Sequence, residues 1–224
     1  MVPVIGVGAG GHTKVLLDIL RSWPDFNVIG LLDADALHVG QFVLGCPILG
    51  DDSLLPQLAR EQCGLVFFLG VGSVAATTKR RRIWERTTAT GIPPISRIVA
   101  PSAVVSPAAI LGRGTVVLPG AIVNAGAQLG ENVIVNSRAV VEHDCAVGDH
   151  THIATGACLS GGVRVGSDSL IGAGSVVRQY ISIGNNAVVG AGACASEVIS
   201  VVPGQASSVC WALVLLTGAL PPDC

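Results

Sequence analysis

Aromatic residues make up only 4% of this 224-residue chain and charged residues only 12%. Half of the chain (50%) is hydrophobic, so disorder is excluded, because disorder requires low hydrophobicity together with high net charge. Basic residues are also scarce. The 13 Lys and Arg against 15 Asp and Glu give a net charge of −2, which provides no basic surface for nucleic acid. The one basic run, Lys79-Arg80-Arg81-Arg82, falls on an expected helix and reads as a solvated face. No stretch approaches the roughly 18 uninterrupted apolar residues of a membrane-spanning helix. Met1-Val2-Pro3-Val4 lacks the basic segment of a secretory signal, so none is expected. The 7 Cys include no CxxC pair and read as buried thiols of a reducing cytosol, with neither a disulfide framework nor a zinc site. The 29 Gly follow no triplet, which excludes collagen. What remains is rich in Val, Ile, Leu and Ala, a composition that favours sheet over helical bundle.

Residues 1–97 alternate strand and helix signals. Val4-Ile5-Gly6-Val7 is a short apolar run, followed by the turn Gly8-Ala9-Gly10-Gly11-His12. From Thr13 to Arg21 the apolar residues Val15, Leu16, Ile19 and Leu20 fall at helical spacing. Val28 to Leu32 predicts a second strand that ends at Asp33-Ala34-Asp35, and Ser53 is placed to cap a short helix. Gly64 to Leu69 predicts a third strand, closed by Gly70-Val71-Gly72-Ser73, and Val74 to Thr90 reads as another helix. Strands alternating with helices imply a small parallel sheet.

From about residue 98 the pattern changes. Every sixth residue from Val99 through Val141 to Val189 is aliphatic, with no break in register. The position four further on is mostly small (Ala103, Ala121, Ala127, Ala139, Ala157), and Gly often follows the aliphatic residue. A helix would need a period of 3.6. A period of six predicts a β-solenoid in which each hexad is one short strand and a turn. The aliphatic residue points inward, and Gly is expected to supply backbone angles closed to other residues. Three hexads close one coil of eighteen residues, so 98–204 holds about five coils.

The pattern [LIV]-G-x-x-[STAV]-x resembles that of the left-handed β-helix, hexapeptide-repeat acyltransferases. Gly8-Ala9-Gly10-Gly11-His12 opening an α/β domain, followed later by Val141-Glu142-His143-Asp144-Cys145 and His152-Ile153, is similar to the PglD/NeuD-like sugar acetyltransferases. This resemblance implies a Rossmann-like domain at 1–97 that binds a nucleotide sugar and a left-handed parallel β-helix at 98–204. It further implies acetyl-CoA as cosubstrate and a cytoplasmic homotrimer with active sites between subunits, without metal, membrane or nucleic acid.

His143 is the local candidate for a general base. It lies two residues beyond the inward Val141 and is followed by Asp144, and a carboxylate beside an imidazole fixes its tautomer and raises its basicity. The resemblance gives His143 the role of base and Asp144 that of its assistant. Coil arithmetic places Gly161 and Ala125 eighteen residues either side of His143, which leaves room beside the imidazole and an unobstructed Gly161 N–H. The resemblance implies that Asn136 orients the acceptor amine, whereas the residue alone is equally a turn cap. It also implies that His152 contacts the acetyl-CoA thioester across a subunit boundary. Nine residues separate His143 from His152, one and a half hexads, so the two face different ways in one chain.

Thr155, Ala173 and Ala191 are spaced by eighteen and form one column of small residues suited to the pantetheine arm, and the resemblance places CoA at His152, Ala173 and Ala191. The turn Gly8 to His12 is an anion site by its position at a helix N-terminus. It is not a full GxGxxG, since Thr13 stands where the third Gly would be, which argues against NAD. The resemblance gives Gly10, Gly11 and His12 to the nucleotide sugar and the Asp33-Ala34 strand end to the nucleoside. Gly72 joins them at the third strand's carboxyl end, where open α/β sheets bind ligands. Residues 205–224 depart from the pattern, being apolar with no basic residue, and are expected to cap the coil. The other readings are O-acetylation of sialic acid or another sugar, and a non-catalytic or metal-binding β-helix subunit.

Overall fold

The structure is a computed structural model that describes residues 1–73, 77–199 and the strand Val209–Cys210. The N-terminal part is a five-stranded sheet of β1 (Val2–Val7), β2 (Phe26–Leu32), β3 (Phe42–Val43), β4 (Cys46–Gly50) and β5 (Val66–Leu69), in the order β3-β4-β2-β1-β5. β1, β2, β4 and β5 are parallel, as strand–helix alternation requires, and β3 pairs antiparallel with β4. The β3–β4 hairpin was not expected from the sequence, because Phe42 and Val43 are too short a run to register as a strand.

Helix α1 (Gly11–Arg21) buries Leu16, Leu17, Ile19 and Leu20 against this sheet. The short helix α2 (Leu55–Glu61) follows a 3-10 turn. The residue that caps that turn is Asp51, whose carboxylate accepts from Ser53 N at 2.9 Å, and not Ser53 itself. Helix α3 (Thr78–Thr88) is the C-terminal part of the expected helix, of which residues 74–76 lie outside the described residues.

The basic run on α3 is not a solvated face. Arg80 is only 1% exposed, Arg81 pairs with Asp168 at 2.7 Å, and only Lys79 and Arg82 are exposed. The helix that carries them is pinned between the sheet and the following coil, which a charge pattern alone cannot show.

The coil begins with β6 (Arg97–Val99) and continues in strands of two residues, three at Thr115–Val117, that recur every six residues to Cys194–Ala195. The strands stack into three parallel sheets, one per side, and each pairs with strands eighteen residues away, as Val123 does with Val105 and Val141. The inward column Val117, Val123, Leu129, Val135, Val141, Val147, Ile153 and Leu159 is at most 4% exposed. The chain thus has the expected architecture, a small α/β domain followed by a left-handed parallel β-helix. Val209–Cys210 pairs in parallel with Val188–Val189, and the rest of the expected tail 205–224 lies outside the described residues.

The glycines after the aliphatic residues have a different cause from the one expected. Positive φ falls two residues further on, at every sixth residue from Gly114 through Asn132, Asp144 and Asp168 to Gly192. Gly112 and Gly172 are instead glycines because neighbouring coils touch there. A Cβ on Gly172 would meet the backbone of Val189 to Ala191 at 2.6 Å. Close backbone approach, not a left-handed dihedral, selects Gly at this position.

The α/β domain and the coil share one hydrophobic cluster, in which Val4, Leu16, Leu31 and Phe68 pack with Ile98, Val116, Leu118 and Ile134. Helix α3 adds polar ties, since Thr77 Oγ1 donates to Asp168 O at 2.9 Å. Trp84 of α3 covers Gly114, where a Cβ would sit 2.2 Å from the indole.

Two glycine substitutions separate the two causes. Gly172→Ala should destabilise by about 1–3 kcal/mol, the usual cost of overpacking. Gly156→Asn, at φ +66 with open space beyond, should stay within about 0.5 kcal/mol of the parent in denaturant melts.

Candidate functional site

A cleft of about 580 Å³ lies where the α/β domain meets the coil. Its floor on the domain side is the turn Gly8 to His12 and the segment Gly70 to Ser73, with Asp33 at one edge. The coil contributes Leu118, Asn136 and His152. Gly10 caps α1 without any side-chain cap, and the first helical turn holds no acidic residue, so its N–H groups and positive helix end are open to an anion. Thr13, standing where a third glycine would be, has a structural part here. Its Oγ1 donates to Gly8 O at 2.6 Å and lies 3.1 Å from Gly70 O, joining the two glycine segments.

Asp33 does not project freely. Its carboxylate accepts from Ala9 N at 2.9 Å and Asp35 N at 3.0 Å, with His38 Nδ1 at 3.3 Å. Burial pushes this carboxyl up, but the Asp35 and Ala9 N–H groups and His38 outweigh it and hold it below the ordinary carboxylate range. Ala34 is exposed and does not line the cleft. It faces a neighbouring depression beside Asp51 and Ser53.

Two imidazoles in the cleft are held neutral. His12 is lowered to about 3, first by burial and then by the charge of Arg80 and by His152. His152, 5% exposed, is lowered to about 4 by burial and by Arg80. Its Nδ1 lies 3.1 Å from Ser73 O, which can only accept, so Nδ1 carries the proton. Its Nε2 then accepts from Asn136 Nδ2 at 3.0 Å, and Asn136 Oδ1 accepts from Ser137 N at 2.8 Å. Asn136 and His152 thus act together, on the side of the coil that faces their own α/β domain.

His143 is elsewhere, on a corner outside this cleft. Its side chain is 54% exposed, and Nδ1 lies 2.8 Å from Asp144 Oδ2. Asp144 occupies the left-handed position of its turn (φ 59), which Asp tolerates better than most residues. The hydrogen bond to Asp144 raises the His143 pKa, against the smaller effect of burial, and the charges of Asp144 and Glu142 add to it. Glu142 is itself fixed, because its Oε2 accepts from Asn124 Nδ2 at 2.9 Å and lies 3.3 Å from His143 N.

Gly161 lies directly against the imidazole, where a Cβ would be 2.5 Å from His143 Nε2. Gly162 N donates to His143 O at 2.9 Å, so the coil stacking expected from the eighteen-residue interval is present. With Nδ1–H given to Asp144, the Nε2 lone pair is the free base.

The column Thr155, Ala173 and Ala191 is exposed and stacked through Gly174 N to Thr155 O (2.9 Å) and Gly192 N to Ala173 O (2.8 Å). Gly156, Gly174 and Gly192 beside it have nothing within 4 Å of a Cβ. That open file of small residues suits an extended chain lying along the coil. His152 does not belong to this column.

Sequence reading missed Asn124, Ser73 and Arg80. Asn124 was accessible by subtracting eighteen from Glu142. Ser73 acts through its carbonyl, and Arg80 was hidden in a run of charges. Among the described residues, no three His, Cys, Asp or Glu side chains are grouped to hold a metal ion.

Comparison with known proteins identifies the family. Residues 4–87 match the family described as PglD N-terminal domain, and residues 126–161 match the bacterial transferase hexapeptide (six repeats) family. Among solved structures, the acetyltransferase domain of PglB from Neisseria gonorrhoeae FA1090 is 37% identical over 88% of this chain and 93% of that one, with a TM-score of 0.80. The same domain has been solved in complex with acetyl coenzyme A. PerB from Caulobacter crescentus, solved with CoA and GDP-perosamine, is 35% identical over 88% of this chain and 90% of that one, with a TM-score of 0.79. The perosamine N-acetyltransferase of that organism has also been solved with one histidine replaced by Asn, and again by Ala. No curated protein matches this chain. With two solved relatives above one-third identity along nearly their whole length, the chain belongs to the PglD/NeuD-like family of hexapeptide-repeat sugar acetyltransferases and is an acetyltransferase that uses acetyl-CoA.

Proposed function

We propose that the chain transfers acetyl from acetyl-CoA to the amino group of a nucleotide-linked amino sugar, such as a UDP- or GDP-linked 4-amino-deoxy sugar, for surface glycan synthesis in the cytoplasm. The observation that carries the reading is the His143–Asp144 pair, held 2.8 Å apart with its free Nε2 over Gly161. PerB, bound to CoA and GDP-perosamine, supports the substrate class.

In this reading Gly10, Gly11 and His12 receive the diphosphate at the α1 N-terminus, and the Asp33 edge receives the nucleoside, with Ala34 beyond it. Gly72 and Asn136 line the path of the sugar. Thr155, Ala173 and Ala191 form the bed for the pantetheine arm. His143 Nε2 takes the proton that the amine nitrogen loses as it bonds to the thioester carbonyl carbon, and Asp144 steadies the resulting imidazolium. The Gly161 N–H, with no acceptor among the described residues, is the donor available to the oxyanion. The carbon–sulfur bond then breaks and CoA leaves as the thiol.

The cleft and His143 occupy different sides of one coil, so one chain carries two halves of a site. We therefore assign the working form as a homotrimer, in which the base of one subunit meets the cleft of the next and His152 lies at that junction.

Mass spectrometry of UDP- and GDP-linked amino sugars incubated with acetyl-CoA should show a gain of one acetyl group on one of them. Absence of product with every amino sugar would overturn the reading. His143→Ala should lower kcat by about 10²–10⁴-fold while leaving CoA affinity intact in calorimetry.

The base works unprotonated, and its pKa is raised, so kcat/KM should fall as pH drops through a value above 6.5. Asp144→Asn removes the largest cause of that rise and should move the limb to lower pH with a lower plateau. Gly161→Ala should displace the exposed ring and cut kcat roughly tenfold or more with little change in melting temperature.

A further inference from the structure

We infer that Arg80 is a positioning residue for the cleft: from inside the α/β domain it holds the segment after β5 by two carbonyls, and that segment holds His152 and Asn136 in a single hydrogen-bonding arrangement. The inference rests on the cleft being the acceptor site.

Arg80 is the largest side chain of the fully buried set, at 1% exposure. It has no carboxylate partner among the described residues, and Asp168 pairs with Arg81. A cation buried without a counter-charge is costly, so its gain must come from what it contacts. Nη1 donates to Leu69 O at 3.1 Å and to Val71 O. These carbonyls flank Gly70, where the chain leaves the sheet and begins to line the cleft. An apolar side chain of similar size would fill the space but leave both carbonyls without a donor.

Two residues beyond Val71, the Ser73 carbonyl meets His152 Nδ1 across the boundary between domain and coil. That contact decides the tautomer. Since Ser73 O only accepts, Nδ1 is the protonated nitrogen and Nε2 is left as an acceptor. Asn136 must therefore present Nδ2 to His152. Its Oδ1 is taken by Ser137 N, so the amide cannot turn over without opposing like groups. The amide in the cleft is set, at two removes, by a guanidinium that never reaches it.

Charge acts in the same direction. Among the described residues, Nε and Nη2 of Arg80 are buried without partners, as is His12 Nε2. An uncompensated cation behind His12 and His152 opposes a second proton on either ring. A proton on His152 Nε2 would face the Asn136 Nδ2 donor head-on. The other charged groups at the cleft are Lys79, which adds to this field, and Asp33, whose carboxylate is already turned to Ala9, Asp35 and His38.

The test combines nitrogen NMR on protein labelled with 15N-histidine and steady-state kinetics, with the His152 signals assigned through His152→Gln. In the parent protein, His152 should show a proton on Nδ1 and a bare Nε2 at pH 7. In Arg80→Met, His152 should become a mixture of forms at the same pH. KM for the nucleotide sugar should rise roughly tenfold, the loss expected for one hydrogen-bonded contact, while KM for acetyl-CoA stays within about twofold. Arg80→Lys, which keeps the charge and a donor, should restore the Nδ1–H form and most of the affinity.

Unchanged His152 signals in folded Arg80→Met would overturn the inference, as would equal losses in both KM values. If Arg80→Met does not fold, the parent spectrum decides, because Nε2–H or a charged His152 at pH 7 contradicts the arrangement. The spectra need no acetyl transfer, so failure to find an acceptor would leave this test standing.

Discussion

Each inner strand of the coil hydrogen-bonds to the strands eighteen residues before and after it, and every other feature of the C-terminal part depends on that ladder. Because the ladder is in register, residues eighteen apart share one corner or one face. Asn124 lies under Glu142 and Gly161 lies over His143 for this reason, and Thr155, Ala173 and Ala191 form an open file. The same closure explains the scarcity of aromatics. The prism interior is narrow, and columns of Val, Leu, Ile and Ala fill it to near-complete burial without large rings.

The ladder also separates two demands on the turns. One position in each hexad must adopt a left-handed conformation, and Gly, Asn or Asp occupies most of these places. At Gly112, Gly148, Gly166 and Gly172 two backbones touch, and there a side chain is excluded by space alone. Asp144 sits at the first kind of position and Gly161 serves as a spacer against an imidazole. The His143–Asp144 pair and its surroundings are therefore built from positions the coil already constrains.

Three histidines show how environment assigns different protonation behaviour to one side chain. His12 and His152 are enclosed beside a cation that has no counter-charge among the described residues, and both are driven well below the ordinary imidazole range. His143 stands in solvent against a carboxylate and is driven upward. The first two remain neutral at physiological pH, while the third gains basicity. The shared hydrophobic cluster that joins α/β domain to coil keeps the first two in place, since the cleft has walls from both.

Much of this was readable from the order of residues. An unbroken six-residue period specifies a solenoid because only one chain geometry buries every sixth side chain. Simple addition of eighteen then places Gly161 against His143. Local order also marks the turn Gly8 to His12 as a helix N-terminus. The tertiary structure alone decided the fate of Arg80, since adjacent charges on a helix look alike until a sheet and a coil enclose one of them. It alone placed Asn136 with His152 in the cleft and away from His143. Those contacts cross between two independently patterned regions, and a periodicity within one region carries no information about how the other docks on it.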